Sequence, residues 1–403
     1  MKKLRLATLI IMVVSMLFVM LAACDNTPAG SGSGSGSGSS SGDSGSSGDS
    51  GDSGDTGNIG IDTGLKIVIV TSGSSVDDGS FNQNNYEGIL DFIAENPGAS
   101  VTAVTSDSIA TSQQDVEAVV ADYDVIVVPG FQFSSISAVA VANPDKFFIL
   151  VDSNPDEIDG QEVFDNIYAM TFKEQESGFF AGIAAAMETN SGKVAFVGGI
   201  AFPPVVNYQF GFNAGVLWAN DNLGTDAEII ELAAYSGEDV RGITVGGNYI
   251  QSFGDQAQGK VVGDALINEG VDVLFVAAGG AGLGAFTAAK ESSGVMVIGC
   301  DVDQFDDGVF AGGNIVLTSG LKNMRINVTR QLNAINNGTF QGGNYTLGAD
   351  TDSSGFVSAE GRHQLDAATL SAMNDAYAQV KSGAIQPPGN FFEGNLGFDG
   401  ILN

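Results

Sequence analysis

The chain has 403 residues, 48 of them acidic and 15 basic, and a formal net charge of −33. A charge this negative repels phosphate backbones, so nucleic acid is not an expected partner. The single histidine, His363, and the two cysteines, Cys24 and Cys300, exclude a four-cysteine zinc site and a disulfide framework, and no metal or cofactor is predicted.

The first segment, residues 1–23, is predicted to be a signal peptide. Basic residues precede an apolar run that is shorter than the roughly 20 residues of a membrane-spanning helix. The run ends in Leu21-Ala22-Ala23-Cys24, which resembles the lipobox of bacterial lipoproteins, where the cysteine is acylated and becomes the mature N-terminus. Acylated Cys24 would hold the protein on a membrane. An ordinary secretory signal with an incidental cysteine is the alternative.

Residues 24–60 follow as a predicted tether. After Cys24 the segment consists almost entirely of Gly, Ser and Asp and has no side chains that could build a core. A Gly-rich coil of this length reaches on the order of 33 Å. The folded part is therefore expected to stay near the membrane surface and to turn freely.

Short apolar runs then alternate with helical patterns. The runs are rich in β-branched residues and mostly continuous, which is typical of strands buried on both faces. The predicted strands are 65–71, 101–105, 124–129, 146–151, 193–198, 227–232, 271–278, 295–300 and 315–318. The predicted helices, with apolar residues at three- and four-residue spacing, are 81–94, 112–121, 174–189, 208–220, 255–269, 284–292 and 321–336.

This alternation predicts an α/β fold with two Rossmann-like lobes, each built on a parallel sheet. Ligands of such sheets bind at the carboxyl ends of the strands, which here means the cleft between the lobes.

The polar turn at residues 72–80 follows the first strand and precedes a helix. Its backbone N–H groups are in a position to meet ligand oxygens. In the alternative interpretation, Asp78 or Ser80 caps the helix and Phe81 is a core residue.

Two glycine-rich segments invite a nucleotide interpretation. Residues 254–260 have GxxxxGK spacing, but Val261 replaces the Ser or Thr of a phosphate-binding loop and a helix is predicted through it. From Gly280 the chain reads GxGxxA between a strand and a helix, a weak form of the dinucleotide fingerprint.

Residues 350–360 resemble the start of an EF-hand loop, but the last acid is one place early. The flanking segments 345–347 and 355–357 are predicted to be the arms of a hairpin.

Acidic residues at strand ends are the other candidates. Asp152, Asp301 and Asp303 are expected near the cleft, where carboxylates accept hydrogen bonds from hydroxyls or a base. Lys322, predicted to start a helix, would supply a compensating charge, although a plain Asp301–Lys322 ion pair is equally compatible with the pattern. Cys300 is predicted to be a small buried residue.

In order along the chain, these segments resemble the basic membrane protein family of bacterial lipoproteins, the purine-nucleoside-binding components of ABC importers. The resemblance covers about residues 66–322. Its carriers are VDDGSFNQNNYEG (76–88), DVIVVPGFQF (124–133), FILVDS (148–153), ESGFFAGIAA (176–185), KVAFVGGIAFPPVVNYQFGFNAGV (193–216), DVLFVAAGGAGLGAFTAAKE (272–291), VIGCDVDQ (297–304) and LTSGLKN (317–323).

The resemblance implies a type I periplasmic-binding-protein fold. The N-terminal lobe would comprise residues 61–172 and about 320–345, and the C-terminal lobe residues 173–319 and about 346–403. The protein would be a lipid-anchored, extracytoplasmic binding protein without catalytic activity that passes a nucleoside to an ABC permease. A sugar or signalling ligand in the same fold, or a nucleoside-cleaving enzyme using Asp301 or Asp303, are the alternatives.

The resemblance also assigns roles. Phe81 would stack on the purine, Asp152 would contact the base edge, and Asp301 and Lys322 would hold the ribose hydroxyls. Phe253, ahead of Phe210, would form the second aromatic wall. The remaining predicted ligand contacts are Ser72, Asn82, Gly280 and Asp303. Ser72 stands where the family usually has an acid or Asn, which leaves the base preference open.

Overall fold

The computed structural model describes residues 64–389. The predicted signal peptide, Cys24 and the whole of the predicted tether precede these residues and lie outside the described part. The strands of this part are β1 (Lys66–Ser72), β2 (Ser100–Ser106), β3 (Val125–Pro129), β4 (Phe147–Val151), β5 (Ile167–Phe172), β6 (Lys193–Gly198), β7 (Glu228–Ile229), β8 (Gly237–Glu238), β9 (Thr244–Gly246), β10 (Val273–Ala277), β11 (Met296–Asp301), β12 (Val309–Phe310), β13 (Gly313–Asn314), β14 (Val316–Lys322), β15 (Gly343–Leu347) and β16 (Ser354–Phe356). The α-helices are α1 (Phe81–Glu95), α2 (Ser112–Val119), α3 (Ile136–Ala142), α4 (Glu174–Glu188), α5 (Pro203–Leu223), α6 (Gln256–Asn268), α7 (Gly282–Lys290), α8 (Met324–Asn336) and α9 (Ala367–Lys381).

The first sheet has the order β15-β5-β4-β3-β1-β2, and all its pairs are parallel. Helices cover both faces. Ile67 and Ile69 of β1 pack with α1 and α8, whereas Val68 and Val70 pack with α2 and α3. Because both faces are buried, the strands read as continuous apolar runs in the sequence.

The second sheet has the order β16-β14-β11-β10-β6-β7, parallel except for β16, which pairs antiparallel with β14. Helices α4, α5 and α9 cover one face, and α6 and α7 the other. Helices α4 and α5 pack so closely that a Cβ atom at Gly182 would collide with the carbonyl oxygen of Phe212. Glycine is therefore required where these two backbones meet.

The chain crosses between the sheets at three places: between Phe172 and Glu174, between Lys322 and Met324, and between Leu347 and Ser354. The two sheets with their helices are thus two lobes with three connections. The strands that run into these crossings end at the cleft, as predicted from the βα alternation. The predicted residue boundaries of the lobes stay predictions.

Several local predictions differ from the structure. The predicted strand 227–232 is reduced to the two residues of β7, and β5, α3 and α9 were not predicted. Lys322 does not start a helix, because β14 continues through it and α8 begins at Met324.

The predicted hairpin of 345–347 with 355–357 is wrong. β15 pairs with β5 in the first sheet, whereas β16 pairs with β14 in the second. Short-range pattern suggested a local pairing, but each segment adds instead to the edge of a different sheet.

Among residues 64–389, no helix is both long enough and apolar enough to cross a membrane.

Candidate ligand-binding cleft

A cavity lies between the lobes at the carboxyl ends of both sheets. Its lining combines a polar end, built around Lys322, with an aromatic end, built from Phe81, Phe131, Phe202 and Phe253.

The polar end is centred on the Lys322 ammonium, which is only 2% exposed. Its Nζ lies 2.5 Å from both carboxylate oxygens of Asp152 and 2.9 Å from Oε1 of Glu174. The second oxygen of Glu174 accepts a hydrogen bond from Asn207 Nδ2 at 3.0 Å. Since Asp152 follows β4 of the first sheet and Lys322 ends β14 of the second, this ion pair joins the two lobes.

The protonation of this cluster follows from its burial and charge. Burial raises the pKa of Asp152 to about 7; Lys322 opposes this shift, while the negative charges of Glu174 and Asp301 add to it. The same carboxylates raise the pKa of Lys322 although burial lowers it, so the lysine stays cationic.

Asp301 makes the second polar contact between the lobes. Its Oδ2 accepts a hydrogen bond from Ser80 Oγ at 3.2 Å, and its Oδ1 accepts one from the Tyr208 hydroxyl at 2.9 Å. Burial and the nearby Asp301 raise the pKa of Tyr208 well above its usual value, which keeps this hydroxyl a donor.

Asp152 and Asp301 share an unusual backbone conformation, with φ of 66° and 68°. A non-glycine residue in this left-handed region is strained, and such strain is concentrated at functional sites. In both cases it turns the chain as the strand ends, with the carboxylate in the lining of the cavity.

The aromatic end is formed by rings from both lobes. The Phe81 ring, at the start of α1, has its centroid 5.2 Å from Lys322 Nζ. Phe131 of the first lobe lies 5.7 Å from Phe202 of the second, which lies 6.0 Å from Phe253, between ring centroids. The Phe253 ring rests against Gly199, where a Cβ atom would overlap it.

The turn after β1 is held by Asp78. Its carboxylate accepts hydrogen bonds from the backbone N–H groups of Ser80, Asn82 and Gln83, at 3.0 to 3.1 Å. Asp78 therefore caps the start of α1, as one of the two sequence interpretations proposed. Burial raises the pKa of Asp78, against these hydrogen bonds.

Two other predicted residues of this region line the cavity. Ser72 Oγ is buried and has no hydrogen-bond partner in the structure, so it is available to a ligand. Asn82 Nδ2 donates to the hydroxyl and the carbonyl oxygen of Ser74, which braces the turn.

The structure thus brings together seven of the predicted ligand-binding residues. They are Ser72, Phe81, Asn82, Asp152, Phe253, Asp301 and Lys322. Phe210, Gly280 and Asp303 lie outside the lining. Phe210 packs against the core of the second lobe, and Gly279 replaces its neighbour Gly280 at the cavity wall.

Asp303 leaves the cavity because the turn at Asp301 directs it elsewhere. Its Oδ2 accepts a hydrogen bond from Arg362 Nε at 2.7 Å. The alternative prediction of a plain Asp301–Lys322 ion pair is wrong, because the ion-pair partners of Lys322 in the structure are Asp152 and Glu174.

Neither of the other sequence motifs forms a binding loop. Lys260 of the GK sequence lies inside α6, paired with Asp264 and Glu291. In the loop 350–360, Asp352 pairs with Lys381. Within residues 64–389, no group of three or more His, Cys, Asp or Glu side chains is arranged to hold a metal ion.

The main residues that sequence reasoning missed are Glu174, Tyr208, Phe131 and Phe202. Phe131 and Phe202 follow strand ends, a position that signals proximity to the cleft. Glu174 and Tyr208 lie on helices, where no local pattern separates them from ordinary surface or core residues.

The family described as "ABC transporter substrate-binding protein PnrA-like" matches residues 65–232 and 233–389. The chain belongs to this family. Its members are the substrate-binding components of ABC transporters, which act outside the cytoplasm, bind a solute and are not enzymes. The predicted family and the predicted fold class are confirmed.

Similar proteins agree with this assignment. The chain is 31% identical over 302 residues to the "ABC transporter nucleoside-binding protein BmpA" of Lactococcus lactis, covering 70% of this chain and 78% of that one. It is 29% identical over 340 residues to the "CD4+ T-cell-stimulating antigen" of Listeria monocytogenes, covering 80% and 87%. A solute-binding protein of an Aeropyrum pernix ABC transporter has the same fold, with a TM-score of 0.67 at 23% identity, covering 80% of this chain and 94% of that one.

Proposed function

We propose that the protein captures a purine nucleoside in the cleft between its lobes, without changing it chemically, and delivers it to an ABC permease. Acylated Cys24 would hold it on the outer face of the cell membrane, with residues 25–60 as the tether. The relative from Lactococcus lactis is named a nucleoside-binding protein, which supports this choice of ligand.

One observation carries the proposal: an aromatic ring and a buried charged cluster line the same cavity. The Phe81 ring lies 5.2 Å from Lys322 Nζ, and Asp152, Glu174 and Asp301 surround that ammonium. A nucleoside has the same two parts, a flat base and a hydroxyl-rich ribose. Small sugars lack the first part.

Each side chain then has a role. The base stacks on Phe81, with Phe253 as the second wall, and Asp152 contacts the base edge. Asp301 and Lys322 bind the ribose hydroxyls. Stacking contributes about 1–3 kcal/mol and each charge-assisted hydrogen bond about 1.5–3 kcal/mol, which together suffice for submicromolar affinity in a preorganised cleft.

Closure of the lobes completes the site. We propose that residues 61–172 with about 320–345, and residues 173–319 with about 346–403, move as the two bodies. Contacts between these bodies include Ser80 with Asp301 and Lys322 with Glu174, and both Asp301 and Lys322 line the cavity. Ligand binding and closure are therefore coupled.

The surroundings of the Asp301 and Asp303 carboxylates favour ligand binding without chemical turnover. Both oxygens of Asp301 already accept hydrogen bonds, and Asp303 lies outside the cavity. A nucleoside-cleaving enzyme would need one of them as a free base.

Isothermal titration of the protein tests the proposal, after unfolding and refolding to remove copurified ligand. The titrants are inosine, guanosine, adenosine, cytidine and ribose. We expect tight one-to-one binding of at least one purine nucleoside, weak binding of ribose, and recovery of the nucleoside intact after incubation. Silence for every nucleoside would overturn the choice of ligand, and release of free base would establish an enzyme.

A further inference from the structure

A second cavity adjoins the first at Asp152. Phe131 and Asp152 line both cavities. Like the first, it is lined by both lobes: Thr171 and Thr346 come from the first sheet, and Gln175 from the start of α4 in the second lobe.

The wall of this second cavity contains buried oxygens that lack hydrogen-bond donors. They are Oε1 of Gln175 and Oδ1 of Asn207. Gln175 is only 3% exposed. A buried acceptor without a donor costs free energy, which an occupant carrying N–H or O–H groups would recover.

The charge of the cavity wall further limits which chemical groups could occupy it. Asp152 and Asp156 contribute carboxyl groups, and Lys173 is its one basic residue. The Lys173 ammonium already lies 3.8 Å from Glu176 and 3.5 Å from Asp350. An amine or hydroxyl therefore fits this cavity, whereas a phosphate or carboxylate would meet unpaired oxygens and negative charge.

We propose that the binding site continues past Asp152 into this second cavity, and that the cavity receives an amine- or hydroxyl-bearing substituent on the base edge of a purine nucleoside. The proposal rests on the proposed function, which places the base edge at Asp152. It extends the ligand class from simple nucleosides to nucleosides substituted on the base.

The test compares substituted nucleosides with their parents by titration calorimetry. The pairs are adenosine with N6-(4-aminobutyl)adenosine and guanosine with N2-(4-aminobutyl)guanosine; the parent that binds more tightly decides which pair is used. Two further derivatives of that parent carry a plain butyl and a carboxypropyl group at the same nitrogen. They separate the effect of donors and charge from the effect of size.

We expect the aminobutyl derivative to bind at least as tightly as its parent and the carboxypropyl derivative at least tenfold more weakly. Gln175→Leu should weaken the aminobutyl derivative about fivefold and the parent less than twofold. Gln175→Glu, the matched variant, should strengthen the aminobutyl derivative and weaken the carboxypropyl one. Thermal unfolding of both variants controls for folding.

The outcomes separate the two proposals. Tight binding of the parent with rejection of all three derivatives would overturn the second-cavity site and leave the proposed function standing. If each of the three derivatives bound Gln175→Leu as tightly as it binds the wild type, the second-cavity site would also be overturned. Absence of binding by every nucleoside would overturn the proposed function, and the second-cavity site with it.

Discussion

The two ends of the cleft are built in different ways. Lys322, Asp152 and Asp301 stand at or just after strand ends and are nearly fully buried; Lys322 pairs with Asp152, and Asp301 accepts hydrogen bonds from Ser80 and Tyr208. The four phenylalanines stand at a helix start or in loops; Phe131, Phe202 and Phe253 contact one another through their rings, and the Phe81 ring lies beside Lys322. The polar end is therefore part of what stabilises the closed protein, whereas the aromatic end contributes area to the ligand.

Lys322→Met is expected to have the largest effect, because the polar end also stabilises the fold. The variant leaves Asp152 and Glu174 without a cation in a buried site, which costs about 3–5 kcal/mol. Thermal unfolding should shift down by many degrees and nucleoside binding should be lost. Lys322→Arg, the control, keeps the charge and should retain much of the stability. An unchanged melting temperature in Lys322→Met would contradict the stabilising role.

Asp301→Asn is expected to weaken nucleoside binding by about 10- to 150-fold, which corresponds to a charge-assisted hydrogen bond of about 1.5–3 kcal/mol. Titration with the nucleoside and with ribose measures this loss, and both ligands should be affected because Asp301 faces the ribose. Asp303→Asn is the matched control: it lies two residues further along the chain but outside the cavity, so its effect should stay below twofold. Similar losses for the two variants would refute the assignment.

Phe81→Ala is expected to weaken nucleoside binding about 5- to 150-fold, which corresponds to the loss of about 1–3 kcal/mol of stacking. Ribose should lose less than threefold, since it does not use the ring. Phe81→Tyr keeps the aromatic face and should bind nearly as the wild type does. If ribose and nucleoside suffer equally from Phe81→Ala, the base does not stack there.

The pH dependence of binding should report on Asp152. Its pKa near 7 means that the carboxylate, which we propose accepts the N1–H of inosine, is mostly formed only above pH 7. Inosine affinity should therefore rise about tenfold between pH 6 and pH 8. Glu174→Gln removes a negative neighbour, so the pKa of Asp152 should fall and the rise should move to lower pH. A profile that is flat and identical in both proteins would exclude this role.

The same pKa predicts a stability effect with a defined sign. Between about pH 4 and pH 7 the folded Asp152 retains a proton that the unfolded chain has released. The free energy of unfolding should therefore fall as pH rises through this window, and stay constant above it. The difference between wild type and Asp152→Asn, measured by denaturant unfolding at several pH values, isolates this contribution.

Sequence reasoning found the parts of the site that local pattern marks. Asp152 and Asp301 were predicted because a parallel strand ends there, at a place that must face the cleft. Phe81 was assigned through the family resemblance. Asp303 was misplaced because the left-handed turn at Asp301 is not visible in the sequence.

Local sequence pattern could not predict which residues of the site pair with one another. Lys322 and Asp152 are separated by 170 positions, and Glu174 joins them only because the chain crosses between lobes just before α4. Strand β5 was missed since its IYAMTF sequence includes alanine and methionine, which favour helices. Its place between β4 and β15 decides its conformation.

A crystal structure of the protein with its tightest nucleoside would test the central claim most directly. The account predicts the purine ring stacked on Phe81 with its edge at Asp152, and ribose hydroxyls within hydrogen-bond distance of Asp301 and Lys322. A nucleoside bound in the reverse orientation, with its ribose against the phenylalanines, or bound outside the cleft, would contradict it.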